Sequence, residues 1–388
     1  MEKKASSLFV TCADGLESLL EEELLELGFS KLRKGFRGIY VEGGIRDVYS
    51  LNYCSRIASR VLWPIKRFNC GDREDLYRYA RSIDWKAYMS ENETFAIDAN
   101  VNHGKLKNSL FAIQVVKDAI CDFFRAEVSK RPNVDVRGGD VRFNLFIDRG
   151  VAIISLDTSG VALFKRGYRF GSVAAPLQET LAAAILRLTG YRGDRVLLDL
   201  CCGSGTFLIE AALIASNTAP GYLRKKWGFS HLPDFSQKDW FLFKAEVDEK
   251  RKSLPKDLLF GIDIDSEAIS SAKKNLRKAG FGDEVSFSQA DLFQYSPRVS
   301  PSMIICNPPY GKRLEDEESL YSLYRELGYV MGRICQRPGK GFVFSGNSKL
   351  SKAIRLKVTR RHVLKNSGID CRLLEYDFIP KDTFRVKT

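Results

Sequence analysis

The sequence predicts an α/β protein whose second half is a doubly wound sheet, preceded by smaller α+β units. An apolar strand at Val196–Asp199 runs into a glycine loop and then a helix. A second strand, Leu258–Asp263, also ends in an acid, and a third, Met303–Cys306, runs into Asn307-Pro308-Pro309-Tyr310. Because open sheets of this type bind ligands at the carboxyl ends of their strands, these three strand ends predict a binding site.

The composition indicates a multidomain globular protein with a basic surface. The 388 residues are 44% hydrophobic, enough for two or three domains with cores of their own. The net charge of +13 favours a polyanionic partner, although an ordinary solvated basic surface is the alternative. Nine scattered cysteines without a Cys-x-x-Cys pair, and only three histidines, predict reduced thiols and no metal site. Without a signal peptide or a long apolar run, the sequence predicts a soluble cytoplasmic protein with no membrane partner.

The N-terminal part alternates short strands with helices. Leu16–Leu27 has the apolar spacing of an amphipathic helix, and Gly28 ends it. A first α+β unit is predicted over residues 1–62, with a break at Pro64, and a second over residues 63–160. Basic residues near predicted turns of the second unit suit phosphate contacts on RNA, although each one alone is more typical of a solvated surface: Lys105, Lys107, Arg131, Arg137, Arg142 and Arg149.

The first strand end carries Asp199, followed by a loop with Gly203 and Gly205. The loop has Leu208 in place of a third glycine and lacks the Gly-Lys-Ser/Thr ending of a P-loop, so it does not indicate a pyrophosphate cradle. An acid at this position would repel a phosphate and suits a cationic or amino-acid-bearing ligand. S-adenosylmethionine carries both groups.

Two further acids follow strands in this half. Asp263 can accept hydrogen bonds from both hydroxyls of a ribose, and Asp291, predicted at the end of a third strand, can accept from an adenine amine. Ser266 is the predicted N-cap of the helix after Asp263. Singly, an aspartate in such a place is more often a capping or turn residue. Three of them after a Gly-x-Gly loop indicate a nucleoside pocket.

The stretch Asn307-Pro308-Pro309-Tyr310 predicts a rigid ledge rich in acceptors, because proline restricts the backbone and removes N–H donors. The Asn307 side-chain oxygen and the Pro308 carbonyl can accept both hydrogens of an exocyclic amine, and Tyr310 can stack on the ring that carries it. The alternative is a turn that ends a strand. Cys306, considered as a nucleophile, is more typical of a small core residue.

The order of these motifs resembles the Rossmann-like class I S-adenosylmethionine-dependent methyltransferases. More narrowly, the chain resembles bacterial 23S ribosomal-RNA guanine-N2 methyltransferases with a THUMP domain, and it is similar to archaeal tRNA guanine-N2 relatives. The match sharpens at Arg166-Gly167-Tyr168-Arg169 and continues through Ala175-Pro176. Its most specific pieces are Cys202-Gly203-Ser204-Gly205-Thr206, Trp227-Gly228-Phe229 and Asn307-Pro308-Pro309-Tyr310-Gly311. The family usually has proline directly after the first acid, whereas this chain has Leu200. In having leucine there, the chain is similar to uridine-C5 RNA methyltransferases.

The resemblance implies a ferredoxin-like unit at 1–62, a THUMP RNA-binding domain at 63–160 and a methyltransferase domain at 161–388. It implies S-adenosylmethionine as cofactor and guanine N2 in 23S rRNA as target, with tRNA, or adenine N6 in DNA, as alternatives. The resemblance further implies that the methionine part of the cofactor is lined by Asp199, Gly203 and Gly205. It implies that Asp263 holds the ribose and that Asp291 holds the adenine end. Asn307, Pro308 and Tyr310 hold the target base.

A long connection, Ala219–Lys252, separates the first two strands of the nucleoside pocket. It mixes aromatic residues with basic ones: Trp227, Phe229, Trp240, Arg224, Lys225 and Lys226. Such a mixture suits stacking and phosphate contacts on RNA. An inserted helical lid whose aromatic side chains form a core is the equally supported alternative.

Overall fold

The computed structural model describes residues 6–102, 106, 108–170, 177–310 and 317–380. Five residues named in the sequence analysis lie outside this part of the chain: Lys105, Lys107, Ala175, Pro176 and Gly311. The chain divides into two compact units. The first comprises Met1–Cys12, Leu20–Leu163 and Arg224–Val247, and the second comprises Ala13–Leu19, Phe164–Leu223 and Asp248–Thr388.

The sheet of the first unit has the strand order β2-β3-β1-β4-β8-β7-β5-β6. Its strands are β1 (Ser6–Thr11), β2 (Leu32–Gly35), β3 (Gly38–Gly43), β4 (Arg60–Asn69), β5 (Thr94–Asn102), β6 (Asn133–Val134), β7 (Val141–Asp148) and β8 (Val151–Asp157). The helices of the N-terminal part are α1 (Glu17–Glu26), α2 (Ile45–Cys54), α3 (Arg73–Arg81) and α4 (Ser109–Val128). The hairpin between β7 and β8 turns at Arg149 and Gly150, both with positive φ.

The predicted break at Pro64 is wrong, because β4 continues through it. The pairing of β4 with β8 shifts register between Pro64 and Lys66, which marks a bulge. A bulge is one of the few places where a sheet tolerates proline, since the missing N–H leaves no ladder bond unmade. A single sheet therefore runs across residues 62 and 63.

The three aromatic residues singled out in the long connection are core residues of the first unit. Trp227, Phe229 and Trp240 are buried and pack in ring contacts around Tyr49 and one another. Arg224 donates to the carbonyls of Ser159, Val161 and Ala162 and lies over the Trp227 ring. The core alternative is therefore correct for these aromatic side chains, and they offer no exposed stacking surface.

The sheet of the second unit has the strand order β11-β10-β9-β12-β13-β15-β14. Its strands are β9 (Leu197–Asp199), β10 (Leu259–Asp263), β11 (Val285–Gln289), β12 (Met303–Cys306), β13 (Gly339–Ser345), β14 (Arg360–Asn366) and β15 (Ile369–Phe378). The helices from residue 179 onwards are α5 (Glu179–Leu188), α6 (Thr206–Ala215), α7 (Gln237–Asp248), α8 (Ser266–Lys278), α9 (Glu317–Ile334) and α10 (Ser348–Lys352). Of these, α7 belongs almost wholly to the first unit.

This sheet is doubly wound. Strands β11, β10, β9, β12 and β13 are mutually parallel, whereas β15 is antiparallel to both β13 and β14. The chain order reverses between β9 and β12, which are neighbours, so the topological switch point lies there. The N-cap of α8 is Asp265, not Ser266, because the Asp265 carboxylate accepts from the Glu267 N–H. Among the described helices, none is long and apolar enough to cross a bilayer.

Candidate functional site

The switch point brings two of the predicted strand ends side by side. In the ladder between β9 and β12, Asp199 is the register partner of Ile305, so Asn307 lies just beyond this pair. On the other side of β9, Asp199 pairs with Gly261, and Asp263 ends β10 two residues later. Three polar side chains thus follow adjacent strands at the edge of the sheet where ligands bind.

Asp199 is a buried acid, 1% exposed. Its carboxylate accepts from the Cys201 N–H at 3.2 Å. Burial raises the pKa of Asp199 to about 8, and the nearby Asp263 carboxylate adds to the rise, although the bond from Cys201 opposes it. A carboxyl group in this state gains most from a ligand that brings a positive charge.

The glycine loop is tied to the second strand end. The Gly203 N–H donates to Asp263 Oδ2 at 2.8 Å, and the Asp265 N–H donates to Oδ1 at 3.1 Å. Gly203 and Gly205 have φ values of 50° and 82°, which favour glycine. A Cβ on Gly205 would approach the Phe287 ring to 3.0 Å, whereas one on Gly203 would meet nothing within 4 Å. The space in front of Gly203 is open to a ligand.

Asp291 does not end a strand, contrary to the prediction, because β11 stops at Gln289. Asp291 instead caps a short 3-10 helix, and its Oδ1 accepts from the Phe293 N–H at 3.0 Å. Sequence reasoning missed two exposed apolar side chains beside these acids, Ile264 at 69% and Phe293 at 48% exposure. An apolar residue directly after a strand-end acid was the signal that could have found Ile264.

Asn307 carries an unsatisfied acceptor. Its Oδ1 is buried and has no hydrogen-bond partner among the described residues. The adjoining ledge is held in place, since the Tyr324 hydroxyl donates to the Pro309 carbonyl at 3.4 Å and lies 2.9 Å from Ser345 Oγ. Buried acceptors normally have a donor, and an orphaned one in a native site indicates a ligand or an absent water.

Tyr310 is anchored by the strands that close the sheet. Its hydroxyl accepts from Asn366 Nδ2 at 2.9 Å and from the Cys371 thiol at 3.7 Å. Its ring meets Phe344 edge-on, and a Cβ on Gly346 would approach the ring to 2.9 Å. Burial raises the pKa of Tyr310 to about 12, so the phenol stays neutral. Sequence reasoning missed this support, which comes from residues far along the chain.

A cavity of about 480 Å³ in the second unit is lined among others by Arg169, Glu179, Lys278 and Ser367. Arg169 ties this wall together. Its guanidinium donates to Glu179 at 2.7 Å and to the hydroxyls of Ser204 at 3.3 Å and Thr206 at 3.1 Å. Burial raises the pKa of Glu179, and Arg169 opposes that rise. The motif that contains Arg169 was noted in the sequence, but its contact with the glycine loop was not.

Cys306 is fully buried in the hydrophobic core around Leu198, Ile304 and Tyr324. Burial, and then its neighbour Cys201, raise the pKa of the Cys306 thiol. A thiol held neutral in an apolar core is a poor nucleophile, so the core interpretation is correct. Over the described ranges, no group of three His, Cys, Asp or Glu side chains could hold a metal ion.

One of the basic residues considered for RNA contact has another partner. Arg142 donates to Asp98 at 3.1 Å and is only 14% exposed. Arg131, Arg137 and Arg149 are exposed. The exposed three remain candidates for phosphate contacts, and Arg142 is occupied within its own sheet.

Family models match successive parts of the chain. The model described as RMKL-like, methyltransferase domain matches residues 166–375, more than half of the chain. A THUMP-domain model matches residues 70–157, and a model of the RlmL ferredoxin-like domain matches residues 7–62. These matches follow the order of a ferredoxin-like start, a THUMP region and a methyltransferase domain.

Relatives agree with this order. Ribosomal RNA large subunit methyltransferase K/L of Syntrophotalea carbinolica is 38% identical over 387 residues, covering 97% of this chain and 54% of the relative. This chain thus spans about half the length of that protein. Putative RNA methyltransferase slr0064 of Synechocystis is 36% identical, covering 95% of this chain and 96% of the relative.

A solved structure matches the whole fold. SMU.472, a putative methyltransferase complexed with SAH, has a TM-score of 0.85 and 28% identity, covering 99% of this chain and 100% of that one. The predicted class is confirmed: a Rossmann-like class I methyltransferase domain follows a ferredoxin-like and THUMP region. The chain belongs to the RMKL-like methyltransferase family.

Proposed function

We propose that this protein transfers a methyl group from S-adenosylmethionine to the exocyclic N2 amine of a guanine in RNA, with 23S rRNA as the substrate. The observation that carries the proposal is the buried Asn307 Oδ1 beside the switch point, an acceptor for which the described residues supply no donor. An RNA substrate is supported by the THUMP match and by the names of both relatives. The proposed domains are residues 1–62, 63–160 and 161–388.

S-adenosylmethionine is the methyl donor, and when bound it supplies an electrophilic methyl group on a sulfonium. The residues present fit it. The buried Asp199 suits a cationic amino-acid tail, and the open space at Gly203 leaves room beside the loop. Asp263 would accept from the ribose hydroxyls, and Asp291 from the adenine amine. Ile264 and Phe293, both exposed, would cover the adenine faces.

The ledge would act on the target base, which must leave its stack to be reached. Asn307 Oδ1 and the Pro308 carbonyl accept the two amine hydrogens, which aims the nitrogen lone pair at the methyl group. These acceptors also stabilise the positive charge that develops on the nitrogen, and they need no reorganisation to do so. Tyr310, anchored by Asn366, stacks on the base. The attacked nitrogen loses its proton to solvent after transfer, so no general base is required.

Nucleoside analysis tests the substrate. Labelled S-adenosylmethionine is incubated with an unmodified 23S rRNA transcript, with unmodified tRNA transcripts and with genomic DNA, and each product is digested to nucleosides. The expected product is N2-methylguanosine in the 23S transcript. If N2-methylguanosine forms only in tRNA, the proposed substrate is wrong and tRNA takes its place. If N6-methyladenine forms in any sample, the proposed target base is wrong and adenine takes its place.

The pKa of Asp199 predicts a pH dependence of cofactor binding. The free protein keeps Asp199 protonated below its pKa of about 8, and a cationic ligand requires it ionised. Binding must then release a proton below pH 8, so the affinity is expected to fall about tenfold for each pH unit between 8 and 6. Isothermal titration in buffers of different ionisation enthalpy measures both effects. Asp199→Asn should bind S-adenosylmethionine more weakly, with an affinity that does not change with pH. A wild-type affinity that is independent of pH would contradict the prediction.

A further inference from the structure

A second amide at the base site is only half satisfied. Asn366 ends β14, and its Nδ2 donates to the Tyr310 hydroxyl at 2.9 Å. Its Oδ1 is buried and, like that of Asn307, has no hydrogen-bond partner in the described part of the chain. The side chain is therefore held in one orientation by Tyr310 while its acceptor remains available.

Asn366 directly precedes Ser367, which lines the cavity described above. A two-residue turn follows Asn366, in which Ser367 and Gly368 have φ values of 49° and 85°. The turn pairs Asn366 with Ile369, and Ser367 lines the cavity that Arg169 and Glu179 also line. The tip of the β14–β15 hairpin thus borders the same cavity as Arg169, whose guanidinium donates to Ser204 of the glycine loop.

Tyr310 joins the two orphaned acceptors. Asn307 precedes it by three residues on the ledge, and Asn366 bonds its hydroxyl. A base stacked on the Tyr310 ring would present its polar edge to side chains around that ring. Both orphaned acceptors therefore belong to residues linked to Tyr310, one along the chain and one through a hydrogen bond.

We propose that Asn366 is a base-reading residue whose Oδ1 accepts the N1–H of the target guanine. The Watson–Crick edge of guanine carries two adjacent donors, the N2 amine and N1–H. Adenine carries an unprotonated N1 beside its amine, which would face Asn366 Oδ1 with a lone pair. Two acceptors thus favour guanine and repel adenine. This inference rests on the proposed function and assigns its base specificity.

The test compares target nucleotides that differ at N1. An RNA fragment that the wild-type protein methylates is rebuilt by splinted ligation, with the target as guanosine or as 2-aminopurine riboside. 2-Aminopurine keeps the 2-amine but has no N1–H. The wild-type kcat/KM is expected to be about 10²-fold lower for the analogue, because a buried acceptor is left facing a lone pair. In Asn366→Ala this preference, the ratio of kcat/KM for guanosine to that for 2-aminopurine riboside, should be about tenfold or less.

Matched variants and a second analogue isolate the effect. Asn366→Asp keeps an acceptor and should keep most of the preference. Tyr310→Phe removes the hydroxyl that orients Asn366, so it should lower the rate and reduce the preference for guanosine less than Asn366→Ala does. Val363→Ala, 64% exposed on the same hairpin, should behave as wild type. 6-Thioguanosine keeps N1–H and changes only the group at C6, so its rate relative to guanosine should match between wild type and Asn366→Ala.

Three results would overturn the assignment. If the wild type methylates guanine N2 and Asn366→Ala keeps the full preference, Asn366 does not read N1–H, although the proposed function stands. If Asn366→Asp loses the preference for guanosine as completely as Asn366→Ala, an acceptor oxygen at this position does not set the preference. If the wild type methylates adenine, or no RNA, the proposed function fails and this inference fails with it.

Discussion

Asn307→Ala is expected to lower kcat about 10²–10³-fold while the affinity for S-adenosylmethionine changes little. The variant removes the buried Oδ1 that has no partner among the described residues. That acceptor is most valuable when charge develops on the amine nitrogen, so its loss raises the barrier more than it weakens ground-state binding. Single-turnover methylation with saturating RNA and cofactor measures the change.

The matched variant is Asn307→Asp, which keeps an acceptor oxygen at the same position. It should retain more activity than Asn307→Ala, because the amine still finds its partner. Cofactor titration of both variants shows that the second unit remains folded. Full methyl transfer by Asn307→Ala would mean that the ledge does not bind the amine.

Asp263→Ala is expected to weaken S-adenosylmethionine binding about 10²–10⁴-fold. The carboxylate accepts hydrogen bonds from the Gly203 and Asp265 N–H groups, so it shapes the glycine loop in addition to its proposed role of accepting from the ribose hydroxyls. Hydrogen bonds to a charged group contribute about 1.5–3 kcal/mol each, and two ribose hydroxyls would lose theirs together. Isothermal titration of the purified variant measures the loss.

Asp265→Ala is the control for Asp263→Ala, since both residues lie in one short loop. Asp265 caps α8 through the Glu267 N–H, so its removal should cost about 1 kcal/mol of stability and leave cofactor affinity nearly unchanged. Thermal unfolding and titration on the same samples separate the two effects. Equal losses of affinity in both variants would show that helix capping, and not ribose binding, is the role of this loop.

The strand-end residues could be predicted because their signals are local. A run of apolar residues that ends in Asp199, Asp263 or Asn307 specifies a buried strand and the polar residue after it, whatever surrounds them. The structure brings these strand ends to adjacent positions at the switch point. Their roles toward cofactor and base remain predictions, and the experiments above test them.

Other assignments needed contacts that no local pattern contains. Pro64 lies inside a strand because β8 pairs with β4 on both sides of a bulge. Trp227 and Trp240 could equally have faced RNA or a core. Trp240 packs against Tyr49, and Trp227 packs against Trp240, so both belong to the core. Asp291 follows its strand by two residues and caps a helical turn, which the spacing of acids alone could not distinguish from a strand end.

The sequence by itself determined the class of fold, the order of its parts and the polar residues at three strand ends, Asp199, Asp263 and Asn307, since these follow from hydrophobic runs and short motifs. Tertiary structure alone decided what surrounds those residues. Arg169 bonds the glycine loop, Asn366 holds Tyr310, and Asn307 and Asn366 are each left with a free acceptor among the described residues. Such pairs are separated by 35 and 56 positions in the chain, so only folding brings them within hydrogen-bond distance.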